Sequence, residues 1–351
     1  MLSLRIVRGP LTDRENEFVL REYNRLTASR IPMNMYLRWV QGSPDGPAFH
    51  ALLDTDQGEI AGHFCLIPVR AEGAGRKLTA AKAEYLFVRE GFRSAPVRGF
   101  EDAPKPPAIL LLEQLYRRCS QEGWGPFLAS ARQELHPLHR LAGCRPADFA
   151  VRECLFILKP WKAATQTPNL SAKQRVGVFL WGLAQRGVWP LAAAFRSGAN
   201  GARTIPLHSR EIKPGEERLG LFRDKRAVQW RYPEQDYMRL ALDDHPDDFL
   251  IAKRGSQERF LRVCQWGLKP DSGIKSLAFA LIEEAKAEGG CGVRWAVYAG
   301  SDASERIVRE LRGMGFVCPP RMRWLLLYTT DRALLEPDLW RISDAFFNFD
   351  E

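Results

Sequence analysis

The chain has 351 residues, 45% hydrophobic and 26% charged, a balance typical of soluble globular domains and long enough for two separate cores. No run of roughly 18 or more uninterrupted apolar residues occurs, which argues against a spanning helix, and Met1-Leu2-Ser3-Leu4-Arg5 lacks the apolar core of a signal peptide. The net charge of +9 is local: residues 152–231 hold fifteen Lys or Arg against five Asp or Glu, and Lys159 to Arg210 holds eight bases and no acid. Seven scattered cysteines, never in a C-x-x-C pair, argue for free thiols in a reducing cytoplasm rather than disulfides or a zinc site.

Residues 2–8 alternate as a strand should. Asp13 is placed to cap a helix reaching about Leu26, with Phe18, Val19, Tyr23 and Leu26 at helical spacing. A turn at Pro44-Asp45-Gly46-Pro47 leads to a strand over 48–53, and Asp54-Thr55-Asp56-Gln57-Gly58 is hairpin chemistry returning the chain along 59–70. A glycine turn at 73–75 precedes the strand containing Ala83-Glu84-Tyr85-Leu86-Phe87-Val88, which ends in Arg89-Glu90-Gly91-Phe92-Arg93-Ser94. A helix follows from about Pro106, stopped by Gly123; then come a short strand over 126–130, a helix over 134–142 and an apolar strand over 154–158.

The pattern starts again near residue 204. Strands are expected over 237–242, 249–253 and 259–268, a helix over 272–287, a strand over 293–298, a helix over 304–312 and a last strand over 323–328. This is the order of elements between Leu86 and Leu158, so the chain reads as two copies of one unit.

Gly58-Glu59-Ile60-Ala61-Gly62-His63-Phe64, then Glu84-Tyr85-Leu86-Phe87-Val88-Arg89-Glu90-Gly91-Phe92-Arg93, a long helix, a strand and a closing Gly143-Cys144-Arg145 resemble the GNAT superfamily of acyl-CoA-dependent N-acyltransferases. The resemblance covers roughly residues 1–160, with a fainter copy at 204–330, and implies an α+β fold. Each of two tandem GNAT-like domains would hold a mixed, mostly antiparallel sheet flanked by helices, with domains at 1–160 and 204–351 and a basic helical linker at 161–203. It implies that Leu86, Phe87 and Val88 pair with the pantetheine arm of acetyl-CoA or another acyl-CoA. The loop with Arg93, Ser94, Arg98 and Gly99 would wrap the pyrophosphate. A helix beginning near Pro106 would point its N-terminus at that group, where amides and the helix dipole favour anions. The loop departs from the family's Arg/Gln-x-x-Gly-x-Gly/Ala, having one glycine, a proline and Glu101-Asp102; Lys269-Pro270-Asp271-Ser272-Gly273 departs further.

Glu84 is the candidate general base, a carboxylate flanked by strand apolars, against the plainer reading of a solvent-facing acid. Tyr85 is the second catalytic candidate, although alternation would turn it to the other face. Ser130, ending the short strand, and His136 are candidate substrate contacts. His136 and His139 at i, i+3 have no third ligand at recognisable spacing, so no metal is expected. His63 reads as a core or hairpin histidine. Between the copies, residues 171–196 wind into a helix whose Val176, Phe179, Leu180, Trp181, Leu183, Val188, Leu191 and Phe195 gather opposite Gln174, Arg175, Gln185, Arg186 and Arg196. That stripe either packs between the two halves or lies on an anionic membrane surface, and Pro190 should kink or end the helix.

Together these imply an N-acyltransferase moving an acyl group, acetyl first, to the amine of a sugar or amino-acid-type acceptor. Two-copy sequences of this kind are similar to acyltransferase-like proteins of bacterial polysaccharide and envelope biosynthesis. The alternatives are an aminoacyl-tRNA-dependent transferase of tandem type, or a non-catalytic scaffold binding a membrane or partner. The expected location is the cytoplasm, with contact at the inner membrane face.

Overall fold

The computed structural model describes residues 1–27, 31–73, 75–102, 105–129, 135–166, 171–194, 202–205, 220–221, 225–244, 248–254, 260–268, 273–299, 302–318, 322–329, 331 and 334. The first half comprises β1 (Leu2–Arg8), α1 (Asp13–Thr27), α2 (Met33–Gln41), β2 (Phe49–Thr55), β3 (Ile60–Gly73), β4 (Arg76–Val88), a short 3-10 turn (Glu90–Phe92), α3 (Pro107–Gln121), β5 (Phe127–Ala129), α4 (His136–Leu141) and β6 (Arg145–Ile157). Two connecting helices follow, α5 (Pro160–Gln166) and α6 (Ala172–Ala194). The second half comprises β7 (Ala202–Ile205), β8 (Gly220–Leu221), α7 (Lys225–Arg231), β9 (Tyr237–Leu242), β10 (Phe249–Lys253), β11 (Phe260–Gly267), α8 (Ile274–Ala287), β12 (Gly292–Ala299), α9 (Asp302–Gly313) and β13 (Met322–Tyr328).

Local chemistry accounts for most boundaries. Thr12, not Asp13, caps α1: its hydroxyl accepts from the Glu15 amide at 3.3 Å while Glu15 accepts the Thr12 amide at 2.9 Å, a reciprocal box that satisfies two end donors. Ser171 and Gln174 do the same for α6. The unforeseen α2 lies between Pro32 and Gly42 and buries Tyr36, Trp39 and Val40, one face at i, i+3, i+4. Helix α6 runs through Pro190 to Ala194, so the proline does not end it.

The sheet joins the halves in one path, β1-β2-β3-β4-β5-β13-β6-β12-β11-β10-β9-β7, with β8 pairing β3 off that path. Within it, β4·β5 and β11·β12 are parallel and the other neighbours antiparallel. The closing strands are exchanged. β13, from the end of the second half, pairs β5 through Leu326↔Ala129 to Tyr328↔Phe127, whereas β6 pairs β12 from Gly292↔Ile157 to Ala299↔Ala150. The strand expected to close the first half therefore borders the second, and each six-strand half borrows one strand.

Three cores result. Helix α3 covers one face of the first sheet, with Phe64, Leu66, Leu111, Leu115 and Phe127, and α8 and α9 cover the matching face of the second. The other face carries α1, α2 and α7 over one cluster drawing on both halves, from Val19, Tyr36 and Trp39 to Tyr237, Phe249 and Cys264. There the Trp230 indole N–H donates to the Arg38 carbonyl at 2.8 Å and the Arg231 guanidinium lies 5.5 Å from the Trp39 ring centre.

Candidate active site

Strand β4 pairs with β3 along its whole length, but with β5 only at Ala81↔Phe127 and Lys82↔Leu128. The described ladder between these two parallel strands ends at Lys82, so Ala83 to Val88 carry no strand partner on the β5 side among the described residues. In this stretch the β3–β4 register slips between His63↔Phe87 and Cys65↔Glu84, a bulge, and its residue Tyr85 has φ 55°. A bulky residue in the left-handed region persists only where its surroundings impose it.

The surroundings are on the page. Tyr85 is buried, with Tyr23 of α1 and Tyr36 of α2 each edge-on to its ring at 5.0 Å. The His63 Nδ1 lies 3.1 Å from the Tyr85 carbonyl, and the His50 Nδ1 lies 3.0 Å from the His63 Nε2. Burial lowers the His63 pKa to about 4 and that of His50 well below its ordinary value, so both rings are neutral. A carbonyl only accepts, so His63 donates from Nδ1 to Tyr85 and accepts on Nε2 the proton of the His50 Nδ1. The relay ties β2 through β3 to the bulge.

Because of the bulge, alternation fails at the expected place: Glu84 and Tyr85 lie on the same face, the one under α1 and α2, and burial, with Glu84 next, pushes the Tyr85 phenol well up. Tyr85 thus packs there between Tyr23 and Tyr36. The Glu84 side chain is 18% exposed, and its Oε1 meets the Nζ of Lys82, itself 0% exposed, at 2.9 Å. The carboxylate on the open stretch of β4 is therefore oriented by a buried ammonium two residues earlier.

The expected phosphate loop runs elsewhere. Its Val97 pairs with Leu2: the Leu2 amide donates to the Pro96 carbonyl at 2.9 Å and the Arg98 amide to the Leu2 carbonyl at 2.8 Å. Arg98 reaches Asp56 at 3.3 Å, and the Gly99 amide donates to the Glu101 carboxylate at 3.0 Å. The helix end is equally poor in donors: Pro106 and Pro107 have no N–H, and the Ile109 and Leu110 amides go to the Pro106 carbonyl. Arg98 and Gly99 are thus drawn to the β1 edge and to carboxylates, not gathered with Glu84, while Arg93 and Ser94 are exposed on the intervening turn. Tested against acyl-CoA, the open backbone edge of β4 suits an extended pantetheine arm, but this loop does not cradle a diphosphate.

His136 begins α4, which packs on α3, on the face opposite Glu84, so the structure does not bring the two together. Its neighbour His139 is buried 3.4 Å from the Tyr116 hydroxyl, and burial lowers its pKa to about 4. Ser130 lies outside the described residues. Lys82, His50 and His63 were not foreseen as parts of the site. The Lys82-Ala83-Glu84 spacing, which sets both charges on one strand face, was the available signal.

No family model matches this chain, and no curated protein matches it in sequence. Solved structures do share its fold. A tandem GNAT protein from the clavulanic acid biosynthesis pathway is 15% identical, with 92% of this chain and 97% of that chain covered and a TM-score of 0.51. A conserved protein of Enterococcus faecalis V583 is 8% identical over 92% of this chain and 71% of that one, with a TM-score of 0.56. A GCN5-related N-acetyltransferase from Kribbella flavida is 14% identical over 92% and 70%, with a TM-score of 0.50. The tandem GNAT fold is what these likenesses show.

Proposed function

We propose that the chain is an N-acyltransferase whose acyl thioester donor lies along the open edge of β4 in the first half. The observation that carries this reading is the bulge in β4 held by His63, just beyond the end of the described β4–β5 ladder at Lys82. When bound, acyl-CoA would supply the activated acyl carbonyl. The backbone of Leu86 to Val88 would align the arm, as a sheet edge does with an added strand. Glu84, held by Lys82, would take the proton of the acceptor amine directly or through a water on the α1–α2 face. The acceptor is read as a small amine of sugar or amino-acid type.

A second reading is favoured by the two prolines at α3 and the Gly99–Glu101 bond: a donor that does not rely on a diphosphate, such as an aminoacyl ester on tRNA. Thermal stabilisation decides between them. S-acetyl-pantetheine and acetyl-CoA at millimolar concentration should stabilise the chain alike if the arm carries the binding. No shift with any CoA ester removes the first reading, and transfer of a labelled amino acid from tRNA establishes the second.

A further inference from the structure

Helix α6 turns its apolar side outward. Its inward positions are Val178, Gly182 and Gln185, spaced i, i+4, i+7. A Cβ on Gly182 would come within 2.8 Å of Ile157 and Pro160 side-chain atoms, so the helix seats against the body on a bare backbone. Gln185, buried, accepts the Ile157 amide at 2.7 Å and donates to the Gly315 carbonyl. On the outer side, Val176, Leu180 and Leu183 follow at the same spacing and are 57%, 58% and 44% exposed, with Trp181 at 46%. From α5, Trp161 is 70% exposed and stands edge-on to Phe179 at 6.1 Å. Of the stripe that would either pack between the halves or meet a membrane, Val176, Leu180, Trp181 and Leu183 are thus exposed, while the side chains of Val188, Leu191 and Phe195 lie outside the described residues; exposed apolar side chains grouped in this way mark an interaction surface.

The charge around it selects the occupant. Lys173 stands in the first turn of the same stripe, and Arg175 donates to the Thr165 carbonyl at 3.2 Å, clasping α6 to α5. Over residues 159–210 the sequence holds eight Lys or Arg and no acid. A two-fold contact with a second copy would press this basic ground against itself, since such an interface sets the same patch on both sides. An anionic bilayer meets both features, apolar depth under tryptophan and leucine and negative charge beside the lysines and arginines. Among the described residues no helix is long and apolar enough to cross a membrane, so the helix would lie in the interface plane.

We propose that the α5–α6 surface docks on an anionic lipid bilayer, with Trp161, Leu180, Trp181 and Leu183 in the acyl boundary and Lys173 and Arg175 at the headgroups. The reading is independent of catalysis, and its test needs none. The full chain should float with vesicles of phosphatidylcholine plus phosphatidylglycerol and not with phosphatidylcholine alone. Each cation removed, as in Lys173→Gln, should weaken binding about fivefold. The triple change Leu180→Ser, Trp181→Ser, Leu183→Ser should abolish flotation while leaving the thermal midpoint in place, because those side chains are already exposed. Should that variant not fold, brominated acyl chains quenching the wild-type tryptophan fluorescence report the same insertion. Absence of flotation, equal binding to both vesicle types, or a solution dimer that the triple change dissolves overturns the proposal.

Discussion

The two halves carry the same device and finish it differently. In each, the first strand of the parallel pair has a bulge: β4 opposite His63 to Cys65, and β11 opposite Ile251 and Ala252. Among the described residues the parallel ladder of the first half ends at Lys82, short of the bulge, whereas β11 stays paired with β12 through Val263↔Trp295, up to its bulge. The first bulge carries the Glu84–Lys82 ion pair and rests on two histidines. The second is flanked by Val263 and Gln265, with Cys264 as the extra residue. A repeated backbone is thus insufficient for chemistry: the acid held by Lys82 and the histidines behind the bulge distinguish the half proposed to act from the second half.

Breaking the second half where the exchanged strand crosses it should have the largest effect. Gly292 has φ +157°, and a Cβ there would lie 2.0 Å from the Phe156 carbonyl oxygen, so Gly292→Ala should cost about 3 kcal/mol or more in urea unfolding. Gly62, beside the first bulge, meets its nearest neighbours at 3.1 Å, and Gly62→Ala should cost roughly 1 kcal/mol. Equal costs would mean that β6 does not press on β12 as described.

The buried ion pair comes next. Lys82→Met should destabilise by about 3 kcal/mol by leaving the Glu84 carboxylate beside an apolar site, and adding Glu84→Gln should restore most of that loss. Additive costs in that double-mutant cycle would show the charges to be uncoupled.

Acid should separate the halves as well. A histidine whose folded pKa lies below its unfolded value of about 6.5 is protonated more readily in the unfolded chain. Its burial therefore costs nothing above that pH and destabilises as pH falls toward the folded value. For His63, lowered to about 4, the loss between pH 6.5 and 4 is about 3 kcal/mol, and His63→Gln should flatten that limb of a stability–pH curve. Strands β9, β10 and β11 hold no histidine, so no matching relay lies in those strands. The smallest effect is the donor's: a thermal shift of about 1–2 °C with S-acetyl-pantetheine, lost when the β4 edge is blocked by Ala83→Trp and retained in Gln265→Trp.

Much of this architecture was legible because its signals are local. Short apolar runs at 237–242 and 249–253 and glycine stops at Gly123, Gly289 and Gly315 placed most elements within a few residues. What escaped depends on contacts distant in sequence or on a single slipped register. Helix α2 is short and leans on Trp230 from the other half. The course of the 93–99 loop is set by Leu2 and Asp56, some forty to ninety residues away. No periodicity in Arg145–Ile157 tells whether its partner is β5 or β12, since both present apolar parallel-sheet edges. The bulge put Tyr85 on the Glu84 face, which strict alternation had denied it.

The exchange of closing strands also orders events in time. During synthesis the edge of β5 stays uncovered until Met322–Tyr328 is made, nearly two hundred residues after β5 itself. The first half therefore cannot complete its sheet as it leaves the ribosome, and the high contact order makes folding slow and late. A heating scan should show one cooperative transition for both halves, and a chain cut between α6 and β7 should yield two fragments that gain their structure only when mixed.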